Sequence, residues 1–221
     1  MAISLSSTAV HASLLAHAED VLGKVAAGHY ESSYSHNNEI SESSYHTHCY
    51  GFVNHLIDRV LPEANHALCQ RMAEMAHLVP VSSDGIPCPF NLFAIFESLS
   101  EKPSEYWTYV PIAEIQPGDI IVCQPRNFQP PKSPNLKRKP GNHAMIVQSV
   151  IMAEAEFQHL RIIDCTREPH SQADTRYPTS SGVGASDLYL TYHPVKNYYK
   201  IKWDESGKAQ KKELAAGRLK L

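Results

Sequence analysis

The apolar residues of this chain change their spacing near residue 105, and that change constrains the fold more than any other feature. Before it they recur at the period of a helix with one buried face. Leu14, Leu15, Ala18, Val21, Leu22 and Val25 predict an amphipathic helix over residues 11–27, with Gly28 as its C-cap. From Cys49 the same spacing runs through Phe52, Val53, Leu56, Ile57 and Val60. It stops at Leu61-Pro62, since proline disfavours helical geometry in the residue before it. A third pattern covers residues 64–78, and Leu92, Phe93, Phe96 and Leu99 predict a short fourth helix. Residues 29–48 are polar and read as a long loop. After residue 105, short apolar runs predict strands over 106–110, 120–123, 143–151, 160–164, 188–192 and 198–203. The tail, 208–221, reads as a fraying helix. Helices first and strands afterwards is the α+β order, with N-terminal helices packed on an antiparallel sheet.

A chain of 221 residues, 43% hydrophobic and 19% charged, is expected to form one domain with a proper core. A net charge of −3 gives no sign of a nucleic-acid partner. The five cysteines are odd in number and form no CxxC pair, which argues against a disulfide framework and for a reducing compartment or a reactive thiol. Residues 1–10 carry no basic side chain, and no apolar run is long enough to span a membrane. The expectation is a cytoplasmic protein, or one exported without a recognisable N-terminal signal, with no membrane partner.

Cys49 stands where its helix begins. Unpaired N–H groups and the positive end of the helix dipole favour a thiolate there and could hold an oxyanion. The plain alternative is a small core residue, as free cysteines usually are. His143 opens a strand and Asp164 ends the next one. Thiol, imidazole and carboxylate would supply a nucleophile, its base and the group that fixes the base's tautomer. Taken singly, His143 reads better as a satisfied edge histidine, and Asp164 as a turn cap with Thr166, than as catalytic groups. A rival constellation is zinc on His46, His48 and Cys49, but structural zinc wants paired clusters and no second cluster follows. No metal and no cofactor are therefore expected.

Four motifs carry a family resemblance. Cys49-Tyr50-Gly51-Phe52-Val53 resembles the cysteine motif of the NlpC-type papain-fold peptidases, written Asp-Cys-Ser-Gly-Phe-Val. Residues 115–121, with Pro117-Gly118-Asp119, resemble their Leu-x-Pro-Gly-Asp-Leu element. Asn142-His143-Ala144-Met145-Ile146-Val147 is similar to their His-Val-Gly-Ile-Tyr strand, and Ile162-Ile163-Asp164 to the strand bearing the third polar residue. The four stand in the family's order across residues 10–170. The chain departs from the pattern at His48 and Tyr50, and carries extra segments at 61–109 and 124–142.

The resemblance implies a papain-like fold and a thiol hydrolase that cleaves an amide or peptide bond through Cys49, His143 and Asp164. Tyr45, His48, Tyr50 and Asn142 would line the substrate cleft. The substrate would be a peptide or a peptidoglycan-derived stem peptide. The wider group implies two alternatives, a deamidase or acyl transferase acting on a protein, and a domain that binds a peptide without cutting it. Arg126, Lys132, Lys137, Arg138 and Lys139 in the second extra segment read first as a solvated connection, and otherwise point to an acidic substrate, because opposite charge raises its local concentration.

Overall fold

In a computed structural model, residues 7–82, 84–128, 141–178 and 180–220 are described, with side chains from residue 13 onward. Of the five basic residues behind the expected acidic substrate, Arg126 is described, while Lys132, Lys137, Arg138 and Lys139 lie outside the described residues. Four helices form as α1 (Ser7–Ala26), α2 (Cys49–Val60), α3 (Pro62–Glu74) and α4 (Pro89–Ser98). None is long and apolar enough to cross a membrane. The polar stretch read as a loop contains a small sheet, β1 (Glu31–Tyr34), β2 (Glu39–Ile40) and β3 (Ser44–Thr47), ordered β1-β3-β2. Its strands are too short and too polar to show a period of two.

The remaining strands are β4 (Trp107–Tyr109), β5 (Ile120–Pro125), β6 (His143–Ala153), β7 (Phe157–Thr166), β8 (Gly182–His193), β9 (Tyr198–Lys202) and β10 (Gln210–Leu219). They run in the order β4-β10-β5-β6-β7-β8-β9, and β9 also pairs with β10. Six antiparallel strands, β5 to β10, thus close into a barrel. This overturns the expected papain-like arrangement of N-terminal helices on an open antiparallel sheet. The cause is the tail. Its Lys, Glu, Leu and Ala residues favour a helix, but propensity is a weak prior and tertiary pairing overrides it. One edge of β10 pairs with β5, from Lys212↔Pro125 to Gly217↔Ile120. The other edge takes β9 at Gln210–Lys212 and β4 at Gly217–Leu219. Without β10, two rows of backbone donors and acceptors would face solvent or each other unpaired.

Alternation along the strands makes two cores. Ile121, Cys123, Met145, Val147, Leu160, Ile162, Leu188, Leu190, Ile201, Leu214 and Ala216 form one cluster drawn from all six barrel strands and no helix, so it fills the barrel. The intervening residues, among them Ile120, Val122, Ala144, Ile146, Ile163 and Cys165, face the helices and pack with Phe52, Val53, Leu56, Ile57, Leu92 and Phe96. At Gly217 an added Cβ would stand 2.5 Å from the Phe96 ring, so only glycine lets α4 lie this close to β10. Trp107 Nε1 donates to Ala64 O at 3.0 Å and ties β4 to the first turn of α3.

The Pro117-Gly118-Asp119 turn is held from β10. Arg218 donates from Nε to Asp119 Oδ1 at 2.8 Å and from Nη2 to Oδ2 at 2.9 Å, a bidentate pair on a fully buried carboxylate. Asp119 Oδ2 also accepts from Gln116 N at 2.8 Å. Asp119→Ala should destabilise the protein by about 3 kcal/mol, as expected when one partner of a buried pair is lost. Denaturant unfolding measures this, and a loss below about 1 kcal/mol would show that the pair does not hold the turn to β10.

Candidate active site

The start of α2 is fixed on three sides. His48 precedes it in extended conformation, and His48 Nδ1 accepts from Gly51 N at 2.9 Å, capping the first turn. The His48 ring stacks on Tyr50 with centroids 3.8 Å apart. Tyr50 donates from its hydroxyl to Asp84 Oδ2 at 2.7 Å, which ties the helix start to the connection after α3. On the other flank Thr47 Oγ1 donates to Asn38 Oδ1 at 2.7 Å, directly over Gly51. A Cβ at Gly51 would lie 2.0 Å from Asn38 Oδ1, so the glycine is a requirement of close approach. Cys49 sits on the first helical position, 8% exposed.

His143 pairs with Cys123 at the first rung of β6. It shares its parity along β6 with Met145 and Val147, and Asp164 shares its parity along β7 with Leu160 and Ile162, so both belong to the barrel-lining register. His143 Nε2 hydrogen-bonds Asp164 Oδ2, and the Cys49 thiol lies near enough to the same ring to act on its charge. A donating Nε2–H leaves Nδ1 as the nitrogen that receives the thiol proton. The structure thus brings together Cys49, His143 and Asp164, three residues that stand far apart in the chain.

The other expected cleft residues are placed differently. Tyr45 packs against Tyr30, Phe52 and His55, with centroids 5.5, 6.3 and 5.6 Å away, on the flank of α2. His48 and Tyr50 brace the helix start as described. Asn142 immediately precedes His143, and its Oδ1 is buried with no hydrogen-bond partner among the described residues. The rival zinc set is also dispersed, since His46 Nδ1 pairs with Ser33 Oγ at 2.7 Å while His48 Nδ1 serves the helix cap.

Three residues that the sequence reading passed over complete the site. His170 Nε2 meets Asp164 Oδ2 at 2.7 Å, and its ring stacks on Trp203 at 3.7 Å with a 5° tilt. Arg176 Nη2 lies 2.7 Å from Asp164 Oδ1, close enough for an ion pair although the angle is poor for a hydrogen bond. Arg176 is itself held by Asp174, through Nε to Oδ1 and Nη2 to Oδ2, both at 2.8 Å. Gly184 makes room for it, because a Cβ there would stand 2.5 Å from Arg176 Nε. The available signal was the charged trio His170, Asp174 and Arg176 within a stretch that otherwise looks like a surface connection.

These contacts set the protonation states. Burial works against an ionised Asp164, but Arg176, His170 and His143 outweigh it and hold the carboxyl well below its usual range. Burial likewise works against a charged His143, but Cys49 and Asp164 outweigh it and hold the imidazole well above its usual value. Cys165 and Cys123, the buried neighbours, are pushed up by burial and remain thiols. His143, Asp164 and His170 present ligand atoms within 4.8 Å of one another and form the metal-ligand cluster among the described residues. The fit to a cation is poor. Both Nε2 atoms already converge on one carboxylate oxygen, and Arg176 brings a fixed positive charge to the other.

Compared with known proteins, the chain matches no family model, no curated protein and no solved structure.

The pKa directions carry signs that can be tested. A raised His143 pKa adds stability below the ordinary imidazole value, and that stability is lost as pH rises through the folded-state value. A lowered Asp164 pKa adds stability above the ordinary carboxyl value, lost as pH falls through its folded-state value. Asp164→Asn removes one cause of the His143 shift, so the His143 titration should move to lower pH. An NMR titration of the His143 ring reads this directly. An unchanged or higher midpoint in the variant would mean that Asp164 does not act on His143.

Proposed function

We propose that this protein is a thiol hydrolase that takes an acyl group from an amide or peptide onto Cys49 and passes it to water. The observation that carries the reading is the His143 imidazole placed between the Cys49 thiol and the buried Asp164 carboxylate. A nucleophilic thiol needs a base within hydrogen-bond reach, and that base needs a third group to orient it.

The steps follow from this arrangement. His143 accepts the Cys49 proton through Nδ1 and becomes an imidazolium, which Asp164 stabilises through Nε2–H. The sulfur attacks the carbonyl carbon. The developing oxyanion meets the Cys49 backbone N–H at the head of α2, where the helix dipole also favours negative charge. The imidazolium then protonates the leaving amine and the C–N bond breaks. In the second half, His143 takes a proton from water, which displaces the thiolate and releases the acid. An amine in place of water would give acyl transfer, and a side-chain amide as substrate would give deamidation.

The resemblance of the motifs around Cys49, His143 and Asp164 to those of NlpC-type cysteine peptidases supports a peptide substrate, with a peptidoglycan stem peptide as one candidate. An open depression of about 650 Å³ begins at His170 and is lined also by Glu168, Tyr177 and Asp204. It adjoins the site, and its described carboxylates give a substrate entering there a negative rim.

Iodoacetamide should label Cys49 much faster than the other four cysteines. Cys49→Ala should abolish release of amine from a peptide panel that includes stem-peptide fragments, while leaving the fold intact. His143→Ala should cost about a thousandfold, the scale of a lost general base, and Asp164→Ala should cost less. Hydrolysis retained by Cys49→Ala would refute the thiol mechanism. His143→Ala with wild-type activity would refute the assignment of the base.

A further inference from the structure

A second cavity is separate from Cys49. It holds about 590 Å³ between the start of β7, the end of β8, the start of β9, and α4, and none of Cys49, His143, Asp164 or His170 lines it. A volume of this order suits a small ligand or one long side chain. Its wall combines two carboxylates, an amide and tyrosine rings: Glu97, Glu213, Gln158, Tyr192, Tyr198 and Tyr199.

The carboxylates and the amide of that set are short of a positive partner. Gln158 is 6% exposed; its Nε2 donates to Ile112 O at 2.8 Å, which fixes the amide with Oε1 as the remaining acceptor. That oxygen is buried with no hydrogen-bond partner among the described residues. A buried acceptor without a donor is costly, and a native fold keeps one when something else supplies the donor. Glu213 accepts from Gln124 Nε2 at 3.1 Å and from Asn127 N at 3.2 Å, both neutral donors. Among the described residues neither Glu97 nor Glu213 has a lysine or arginine at ion-pair distance. Burial and the Glu213 carboxylate push the Glu97 carboxyl up, as expected of two acids sharing a space without a cation.

The aromatic part of the wall already receives cations. Arg126 Cζ lies 4.9 Å from the Tyr198 ring centroid and Lys211 Nζ lies 5.7 Å from it. Tyr192 and Tyr199 sit beside each other with centroids 4.9 Å apart. Tyrosine faces attract ammonium groups through the ring quadrupole, while their carbon surface accommodates an alkyl stem.

We propose that this cavity is a binding site for an alkylammonium group, held by Glu97, Glu213 and Gln158 Oε1 against the tyrosine rings. The shared chemistry is a protonated primary amine on an apolar stem, supplied by a free alkylamine or by a lysine side chain of a polypeptide.

The full chain is titrated with n-pentylamine, with Nα-acetyl-lysine amide and, as the neutral control, with 1-pentanol. Binding is followed by ring signals of Tyr192 and Tyr199 in NMR and by calorimetry. Saturable binding of an amine is expected, at least tenfold tighter than the alcohol. Glu97→Gln and Glu213→Gln together should weaken it at least tenfold, and Gln158→Met should weaken it while leaving 1-pentanol unaffected. Glu97 is exposed, so Glu97→Gln alone serves as a variant whose fold is not in question. Tighter binding of the lysine amide would identify a polypeptide as the source, and tighter binding of pentylamine a free amine. Equal affinity for amine and alcohol, no saturation at millimolar amine, or amine binding unchanged in the carboxylate variants would each overturn the proposal. The rate at which iodoacetamide alkylates Cys49 should stay the same throughout, so failure here is distinguishable from failure of the thiol mechanism.

Discussion

A carboxylate with no solvent contact at the mouth of a closed barrel has to be compensated, and the compensation of Asp164 organises everything around it. An isolated buried charge would neutralise itself by taking up a proton. Here Arg176 supplies a permanent counter-charge and two imidazoles supply donors. Arg176 cannot reach inward without its own partner, and Asp174 provides one from the same connection. Asp174 Oδ2 also accepts from His170 N at 2.8 Å, so the carboxylate that holds the arginine positions the second histidine as well. Arg176 further donates to the carbonyl of Gly182 at 2.9 Å, fastening the connection to the first residue of β8. One buried charge thus fastens the connection between β7 and β8, which has no helix or strand among its described residues.

The helices depend on the barrel for a different reason. α2 buries Phe52, Val53, Leu56 and Ile57 against the outward-facing residues of the strands, and its first turn is clamped by the small sheet. β1 in turn docks on β8, where Ser32 Oγ accepts from Val183 N at 2.8 Å. The thiol therefore reaches the histidine through two independent supports, apolar burial along the helix and polar contacts at its head. A site needing sub-ångström placement is served better by such a rigid element than by a loop.

Several residues of the candidate site could be picked out in the sequence, and much of the architecture could not. The bounds of α2 could be read to the residue, because a strong apolar stripe ends at Leu61-Pro62. His143 and Asp164 could be singled out as residues ending or opening apolar runs. Their meeting depended on pairing register, which no local pattern encodes. The tail defeated the reading because Gly217 is small for a packing reason, the approach of α4, and small residues beside Lys and Glu imitate a helix. β1 to β3 were missed because they are only two to four residues long and mostly polar. His170, Arg176 and Trp203 were missed because a histidine stacked on tryptophan and an arginine buried under a glycine look from sequence alone like ordinary surface residues.

Lys212 has a side chain that is almost wholly enclosed, and its Nζ donates to Gly141 O at 2.6 Å. Gly141, with φ +112°, is the hinge that leads the backbone through Asn142 into His143. The imidazole is thus anchored from the strand that emerges last among those of the barrel as the polypeptide is made. During synthesis, when a chain folds from its N-terminal end, the helix bearing the thiol and the strand bearing the carboxylate are both present before that anchor exists. The order of residues along the chain therefore acts as a timer: the backbone leading into His143 gains this anchor only once β10 has been made.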